Sequence, residues 1–227
     1  MNPASANEPT DDSKDVTMGV LRVLTLEDPE AVATHGHVIE AHFPWIETDS
    51  RCIPDHPDGI PSAAEEAEAI PYVMDLAREM AEDVDALLIS CALDPGVPEL
   101  REELDIPVLG AGRSVAAAAL TRGDRVGTIG LEGGTAPVLE RILGDHHHAS
   151  TVVRGANTTN FLTTAAGRDA IANAIDRLEA AGCDVVAPSC TGITTSGVLP
   201  DVASDTPLSV VDPVLSMAAM AYNSLQL

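Results

Sequence analysis

The chain has 227 residues, 36 of them acidic and 12 basic, and its formal net charge is −24. A surface of this charge repels nucleic acid and anionic lipid, which argues against both as partners. Apolar residues make up 45% of the chain, which is enough for a folded core and more than a disordered acidic chain carries. An acidic shell over an ordinary core is typical of proteins that work at high salt, so we expect a halophilic source.

Residues 1–17 predict a disordered acidic tail, because they are polar and rich in Asp, Ser and Asn. They lack the basic and apolar blocks of a signal peptide. No run of 18 or more apolar residues occurs in the chain, so we expect no membrane span. Four cysteines without paired spacing favour free thiols in a reducing cytoplasm over a disulfide framework.

Short apolar segments alternate with helical patterns after the tail. In the first half, strands are predicted at 20–26, 43–53, 85–90 and 106–109. Helices are predicted there at 29–41, 62–83, 95–103 and 113–122. Pro71 could kink or break the second of these helices. In the second half, strands are predicted at 125–128, 150–154, 184–189 and 208–211, and helices at 134–143, 165–181, 192–204 and 213–226.

The chain contains an internal repeat. Residues 85–91 are echoed by residues 184–190, 99 positions later, and both apolar runs end in Ser-Cys. Residues 105–108 are echoed by residues 205–208, 100 positions later, and both open with Asp-x-Pro. The repeat predicts two equivalent halves related by a pseudo-twofold axis.

The alternation of strands and helices predicts parallel sheets covered on both faces. Combined with the repeat, it predicts an α/β fold of two pseudo-symmetric domains, each a four-stranded parallel sheet flanked by helices, with the active site in the cleft between them. The last helix, at 213–226, follows the second half as the helix at 113–122 follows the first half, and we expect the two halves to exchange these helices. We therefore assign residues 18–112 plus 213–227 to the first domain and residues 113–212 to the second.

Cys91 and Cys190 follow equivalent strands of the repeat. Ligands of a parallel sheet bind at the carboxyl ends of its strands, which is where both thiols are placed. A helix N-terminus beyond each cysteine can lower a thiol pKa through its dipole and free N–H groups. Two such thiols across a cleft can remove a proton from one face of a carbon atom and return one to the other face. Cys52 and Cys183 have no partner in the repeat, and we assign them structural roles.

Neither a cofactor nor a metal is predicted. The only lysine is Lys14, in the predicted tail, so the folded region has no lysine for a Schiff base with pyridoxal phosphate. The cysteines lack the C-x-x-C spacing of a zinc site. His146, His147 and His148 are adjacent, and adjacent side chains on a strand alternate in direction, so the three cannot all face one ion.

The segments around both cysteines resemble the aspartate/glutamate racemase superfamily and, within it, the hydantoin racemase branch. These segments are 91–96 (Cys-Ala-Leu-Asp-Pro-Gly), 106–110 (Ile-Pro-Val-Leu-Gly) and 190–192 (Cys-Thr-Gly). The resemblance covers nearly all of the chain after the tail. It implies two α/β domains, an active site between them, no cofactor and one catalytic cysteine from each domain. Cys91 and Cys190 match those two positions.

The resemblance also implies a type of substrate. Glutamate racemases typically have Cys-Asn-Thr and Cys-Thr-His at the two cysteines. Here Ala92 and Leu93 replace Asn-Thr, and Gly192 replaces His. Polar groups that recognise an amino acid are therefore missing, and Cys-x-x-Asp-Pro-Gly indicates the hydantoin or allantoin type.

Five residues are implied substrate contacts. Thr25 and Thr128 close two segments of similar sequence, Arg-Val-Leu-Thr and Arg-Val-Gly-Thr. Both fall where the family places residues that bind a substrate carboxylate or carbonyl. The other three, Ala92, Thr191 and Gly192, flank the cysteines.

The function predicted from the sequence is a cofactor-independent racemase, an isomerase that uses the cysteine pair on a C–H bond next to a carbonyl of a 5-substituted hydantoin or allantoin. Relatives that decarboxylate arylmalonates keep only the second cysteine. The alternatives are an aspartate/glutamate-type amino-acid racemase, a maleate-type cis–trans isomerase, an arylmalonate-decarboxylase-like enzyme and, outside enzymes, a module that binds a small ligand. We expect a small-molecule partner and a cytoplasmic homo-oligomer.

The charge generates a prediction about salt. The melting temperature should rise from low to molar potassium chloride, because screening removes repulsion between the acidic groups of the folded protein. Thermal melts followed by circular dichroism across that range measure the effect. A melting temperature that stays flat or falls contradicts the halophilic interpretation.

Overall fold

The computed structural model of the protein describes residues 16–60 and 63–226. Within these residues lie two parallel sheets of four strands each. The first sheet consists of β1 (Val16–Arg22), β2 (Ile46–Cys52), β3 (Ala86–Ser90) and β4 (Val108–Gly110), in the order β2-β1-β3-β4. The second consists of β5 (Val126–Gly130), β6 (His147–Val152), β7 (Val185–Pro188) and β8 (Ser209–Val210), in the order β6-β5-β7-β8.

Helices connect the strands and cover the sheets. They are α1 (Pro29–His42), α2 (Ala63–Met80), α3 (Val97–Glu103), α4 (Ala111–Leu120), α5 (Pro137–Leu143), α6 (Ala165–Ala180), α7 (Gly192–Thr195), α8 (Leu199–Asp205) and α9 (Pro213–Leu225). Short 3₁₀ turns occur at Gly144–His146 and Thr159–Thr163. Over the residues that the structure covers, no helix is long and apolar enough to span a bilayer. The predicted α/β fold with two four-stranded parallel sheets is confirmed.

Several predicted boundaries differ from the structure by a few residues, among them the strands predicted at 20–26 and 150–154, which are observed at Val16–Arg22 and His147–Val152. Three differences concern the tail and the helices. β1 begins at Val16, so the last two residues of the predicted tail belong to a strand, while residues 1–15 lie outside the described part of the chain. Pro71 lies inside α2, which stays a single helix, and the predicted start of that helix at Ser62 lies outside the described residues. The helix predicted at 192–204 is divided into α7 and α8, because Gly197 adopts a positive φ of 70° that ends the first.

The central strand β3 shows why the strands of this protein have continuous apolar sequences. Every residue of β3 is buried, and its side chains alternate between the two faces of the sheet. Leu87 and Ile89 share a core with α2 and α3. Ala86 and Leu88 share a core with α9. The sheet is therefore covered on both faces, as parallel sheets usually are.

The last helix covers the first sheet, although it follows the second in sequence. Met217 of α9 lies in one core with Leu88, whereas Val115 of α4 lies in one core with Val126 and Val185 of the second sheet. This packing supports the division into residues 18–112 plus 213–227 and residues 113–212, which we retain as a proposal. Its first boundary moves to the start of β1, and the boundary at 112/113 falls inside α4.

A repeated aspartate fixes the register of both sheets. The backbone N–H of Thr17 donates to the Asp85 carboxylate at 2.8 Å, and that of Arg125 donates to the Asp184 carboxylate at 2.9 Å. The aspartate N–H groups return the bond to the Thr17 and Arg125 carbonyls. Asp85 and Asp184 open the repeated segments, so each aspartate ties its central strand to the neighbouring strand at an equivalent point.

The same bonds correct one part of the predicted repeat. Because Thr17 and Arg125 are equivalent, Val20 corresponds to Thr128. Thr25 lies beyond the end of β1 and has no equivalence to Thr128. The match between the two tetrapeptides is wrong, because they lie at different heights in their sheets.

The aspartate bonds generate a stability prediction. Asp85→Ala and Asp184→Ala should each lower the free energy of unfolding by about 1 kcal/mol, because each leaves a strand-end N–H without its acceptor. The two losses should add, since the sites are in different sheets. Urea unfolding measures them, and Asp176→Ala, at an exposed position on α6, is the control. Losses equal to that of the control contradict a role in register.

Candidate active site

A cavity of about 670 Å³ is lined by residues of both halves. Its walls are the segments that follow β1, β2, β3, β5, β6 and β7, together with parts of α1, α2, α5 and α7. Cys91 and Cys190 both line it. The structure thus brings the two predicted cysteines to one cavity.

Both thiols lie just past the carboxyl end of an interior strand. Cys91 follows the last residue of β3, and its N–H donates to the Ile89 carbonyl at 2.8 Å. Cys190 lies two residues beyond β7, after Ser189, whose N–H donates to the Ile129 carbonyl at 2.8 Å. The Ser189 bond extends the second sheet to the residue before Cys190, and Cys91 directly follows a fully buried strand, so each thiol is placed by a strand rather than by a free loop.

Burial dominates the ionisation of Cys190. It raises the pKa of this thiol to about 11, although the backbone N–H groups of Gly192 and Ile193 at the start of α7, and the positive charge of Arg22, act to lower it. The predicted effect of the helix start is present but is smaller than desolvation. The expected lowered pKa is therefore wrong for this thiol.

Cys91 is still harder to ionise. Burial raises the pKa of its thiol above the ordinary value, and the Leu93 N–H opposes this only in part. Charges on Cys190, Asp94 and Glu66 raise the pKa further. Both thiols therefore hold their protons at neutral pH, and the thiol of Cys190 is the easier to ionise.

A buried arginine in the cavity was not predicted from the sequence. Arg22 ends β1, is only 4% exposed, and its Nη1 donates to the carbonyls of Ala31 and Val32 at 3.1 Å each. Its Nε has no hydrogen-bond partner. Burial lowers the pKa of Arg22 to about 10, so it remains a cation at neutral pH. The signal in the sequence was an arginine at the end of an otherwise apolar strand.

A buried histidine joins the two halves next to the site. His35 of α1 hydrogen-bonds the Ser90 hydroxyl through Nδ1 and the Thr195 hydroxyl through Nε2, both at 2.7 Å. Burial, reinforced by the charge of Arg22, holds the pKa of His35 well below its usual range, so the imidazole is neutral. The Thr191 hydroxyl adds a second link by donating to the Ser90 carbonyl at 3.1 Å.

Asp94 fixes the segment that follows Cys91. Its carboxylate accepts the N–H groups of Gly112 at 2.6 Å and Arg113 at 2.9 Å, in the first turn of α4. Gly110 leaves the space that this carboxylate occupies, because a Cβ there would overlap it. Burial raises the pKa of Asp94 to about 6, and the two N–H donors act in the opposite direction.

The predicted substrate contacts divide into two groups. Ala92, Thr191 and Gly192 line the cavity, as expected. Thr25 and Thr128 are not among its lining residues. Glu66 of α2 lines the cavity and was not predicted.

Both threonines are engaged elsewhere. The hydroxyl of Thr25 donates to the Ile53 carbonyl and accepts from the His56 N–H, both at 2.8 Å, so it holds the loop after β2. Thr128 is fully buried inside β5 and hydrogen-bonds Thr135 at 2.6 Å and His147 at 2.9 Å. Their predicted role as substrate contacts is therefore not supported by their positions.

The remaining cysteines and histidines lie outside the cavity lining. All four cysteines are free thiols; Cys183 is buried in the core of the second half, and Cys52 ends β2. His146, His147 and His148 bind the Asp124 carbonyl, the Thr128 hydroxyl and the Ala181 carbonyl, so they point to separate places. Among residues 16–60 and 63–226, no group of three or more His, Cys, Asp or Glu is arranged to hold a metal ion.

The raised thiol pKa values give a testable pH dependence. Alkylation of Cys91 and Cys190 by iodoacetamide should be slow at pH 7 and still rising at pH 9, because only the thiolate reacts and its fraction grows until the pH exceeds the pKa. Peptide mass spectrometry separates the two sites, and the unfolded protein, with ordinary thiols near pKa ~8.5, is the reference. A rate that levels off below pH 8 in the folded protein shows a lowered pKa and contradicts the raised pKa of these two thiols.

Comparison with known proteins gives the relationships of the chain. Residues 31–221 match the family model of Asp/Glu/Hydantoin racemase. A hydantoin racemase of Rhizobium meliloti is 30% identical over 93 residues, which are 40% of this chain and 39% of that protein. The match therefore spans well under half the length of this relative.

Solved structures share the fold. An allantoin racemase from Pseudomonas fluorescens superposes with a TM-score of 0.79 at 19% identity, over 92% of this chain and 91% of that one. An allantoin racemase from Klebsiella pneumoniae gives a TM-score of 0.76 at 20% identity, over 93% of this chain and 88% of that one. A glutamate racemase from Bacillus anthracis superposes with a TM-score of 0.66 at 17% identity, over 94% of this chain and 82% of that one.

The family match covers most of the chain, and the similarity to a hydantoin racemase agrees with the predicted branch. The superfamily predicted from the two cysteine segments is confirmed. The chain belongs to the Asp/Glu/hydantoin racemase family, a family of isomerases.

Proposed function

We propose that the protein is a cofactor-independent racemase in which Cys91 and Cys190 act as acid and base on a C–H bond next to a carbonyl group. The observation that carries the proposal is that two thiols, at equivalent positions of the repeat, line one cavity. A carbon atom held between them has one thiol on each face. Removal of its proton by one thiolate and delivery of a proton by the opposite thiol inverts the stereocentre.

The two thiols have different roles in the first half of the cycle. Cys190 is the easier to ionise, because Arg22 and the start of α7 favour its thiolate, whereas acidic groups surround Cys91. Cys190 thiolate takes the proton from the substrate carbon, and Cys91 thiol supplies a proton to the other face. The enzyme is then left with a Cys91 thiolate and a Cys190 thiol. Either the Cys91 thiolate takes a proton from the opposite enantiomer, or Cys91 gains a proton from solvent while Cys190 releases one to solvent, which restores the starting state.

The proposed substrate is a 5-substituted hydantoin or allantoin. Hydantoin C5–H is more acidic than the Cα–H of an amino acid, so less stabilisation of the carbanion is required. The similarity to a hydantoin racemase supports this class. Ala92 and Gly192 line the cavity where glutamate racemases typically carry polar side chains, which disfavours an amino-acid substrate.

We also propose a cytoplasmic, high-salt setting and a homo-oligomer. The net charge of −24 and the four free thiols support the setting. Family membership suggests the oligomer.

The two-base mechanism predicts that each cysteine is essential. Cys91→Ser and Cys190→Ser should both abolish racemisation, since every turnover needs one base and one acid. Each variant should still exchange solvent deuterium into one enantiomer through the remaining thiol, and the two variants should act on opposite enantiomers. Optical rotation and proton NMR in deuterium oxide measure the two effects, with Cys52→Ser as the control.

Three other outcomes lead to different functions. Near-normal turnover by Cys91→Ser with loss in Cys190→Ser indicates a one-cysteine mechanism of the decarboxylase kind. Racemisation of aspartate or glutamate but of no hydantoin indicates an amino-acid racemase. Binding of hydantoins by the wild type without any exchange indicates a binding module.

A further inference from the structure

We infer that Arg22 is a further catalytic residue of the proposed racemase: its guanidinium binds the carbonyl oxygen beside the stereocentre and stabilises the negative charge that forms there when the proton leaves. The inference rests on the proposed function of the site. It goes beyond the two-cysteine mechanism by assigning the group that stabilises the intermediate.

The first observation is an unpaired buried cation. Arg22 is only 4% exposed, and no carboxylate of residues 16–60 or 63–226 lies within ion-pair distance of it. Burial of a charge without a partner is costly, and buried arginines are normally paired. An uncompensated cation beside a cavity is therefore placed to receive negative charge from the ligand of that cavity.

The second observation concerns orientation. Nη1 donates to the carbonyls of Ala31 and Val32 in the first turns of α1, and these two bonds fix the plane of the guanidinium. Nε is buried and has no partner. Nε is therefore closed to a ligand, but a guanidinium has five N–H donors in a rigid fork, and the donors of that fork beyond Nε and the two bonds to α1 remain for an oxygen atom in the cavity.

The third observation is position relative to both thiols. Arg22 pairs with Ser90 across the strands β1 and β3, and Ser90 precedes Cys91. Paired residues of neighbouring strands are about 4.8 Å apart. The charge of Arg22 also acts on the thiol of Cys190. Arg22, Cys91 and Cys190 line the same cavity, so a substrate held between the two thiols shares that cavity with the guanidinium.

The fourth observation is that the cavity offers no other cation. Among the described residues that line it, Arg22 is the only one with a positive charge, whereas Asp58 and Glu66 are acidic. Deprotonation at hydantoin C5 moves negative charge onto the neighbouring carbonyl oxygen. In a site shielded from water, a fixed cation at that oxygen lowers the barrier strongly.

The kinetic test compares Arg22→Met and Arg22→Lys with the wild type. Arg51→Met is the matched control, because Arg51 lies on β2 of the same sheet, pairs with Asp49 and Glu79, and does not line the cavity. Arg22→Met should lower kcat for a 5-substituted hydantoin about 100-fold or more and change KM by a few-fold at most, because the lost contact forms mainly in the transition state. Arg22→Lys should recover part of kcat.

Contrary kinetic results are equally clear. A kcat within threefold of the wild type in Arg22→Met overturns the inference, even if the melting temperature falls, because Arg22 then only ties α1 to β1. A raised KM at constant kcat also overturns it, since the contact is then made equally with ground state and transition state. Circular dichroism shows whether Arg22→Met folds. If it does not fold, the kcat of Arg22→Lys is the deciding measurement, and a kcat of Arg22→Lys equal to that of the wild type overturns the inference.

A binding test separates this inference from the proposed function. Barbiturate is a cyclic ureide that exists as a stable enolate at neutral pH, so it carries the charge that the intermediate develops. Isothermal titration should show binding to the wild type and Arg51→Met, weakened at least about tenfold in Arg22→Met. If the wild type racemises no hydantoin but barbiturate binding still depends on Arg22, the proposed function fails and the anion-binding role of Arg22 stands. Equal binding by wild type and Arg22→Met, or none by either, overturns the inference.

Discussion

Removal of two thiols from water is the constraint on which the chemistry of this protein depends. Cys190 is buried and Cys91 is partly buried in the cavity between the halves, and desolvation outweighs every nearby group that favours a thiolate. A neutral thiol pair is a poor base at rest but a strong one once ionised, because no water shell has to be removed from it. In the proposed mechanism, burial also keeps solvent away from the carbanion, which would otherwise be protonated without control of the face.

The fold is nearly symmetric, but the electrostatics of the site are not. Both thiols follow equivalent strands that equivalent aspartates hold in register. Around Cys190 the neighbours are the Arg22 cation and N–H groups of α7, while around Cys91 they are the carboxylates of Asp94 and Glu66. The repeat therefore provides two thiols that line one cavity, and the differing side chains around them make Cys190 the easier to ionise.

The sequence predicted what local patterns determine and missed what distant contacts determine. The strand ends at Cys91 and Cys190 were visible because an apolar run followed by Ser-Cys is a local signal. His35 was not visible, since its partner Thr195 lies 160 residues away and an imidazole in a helix gives no indication of its contacts. Thr25 was misassigned because four similar residues do not fix a sheet register, whereas the backbone bonds of the repeated aspartates do.

The hydrogen bonds of His35 that link the two halves are neutral, in a chain whose formal net charge is −24. His35 joins the end of β3 to α7 through two hydroxyl groups, and burial keeps its imidazole neutral. α7 in turn supplies the N–H groups beside Cys190. The spacing of the two thiols therefore depends on neutral hydrogen bonds, which salt does not screen, rather than on ion pairs, which it does. In a protein with a formal net charge of −24, links of this kind keep the site geometry independent of ionic strength.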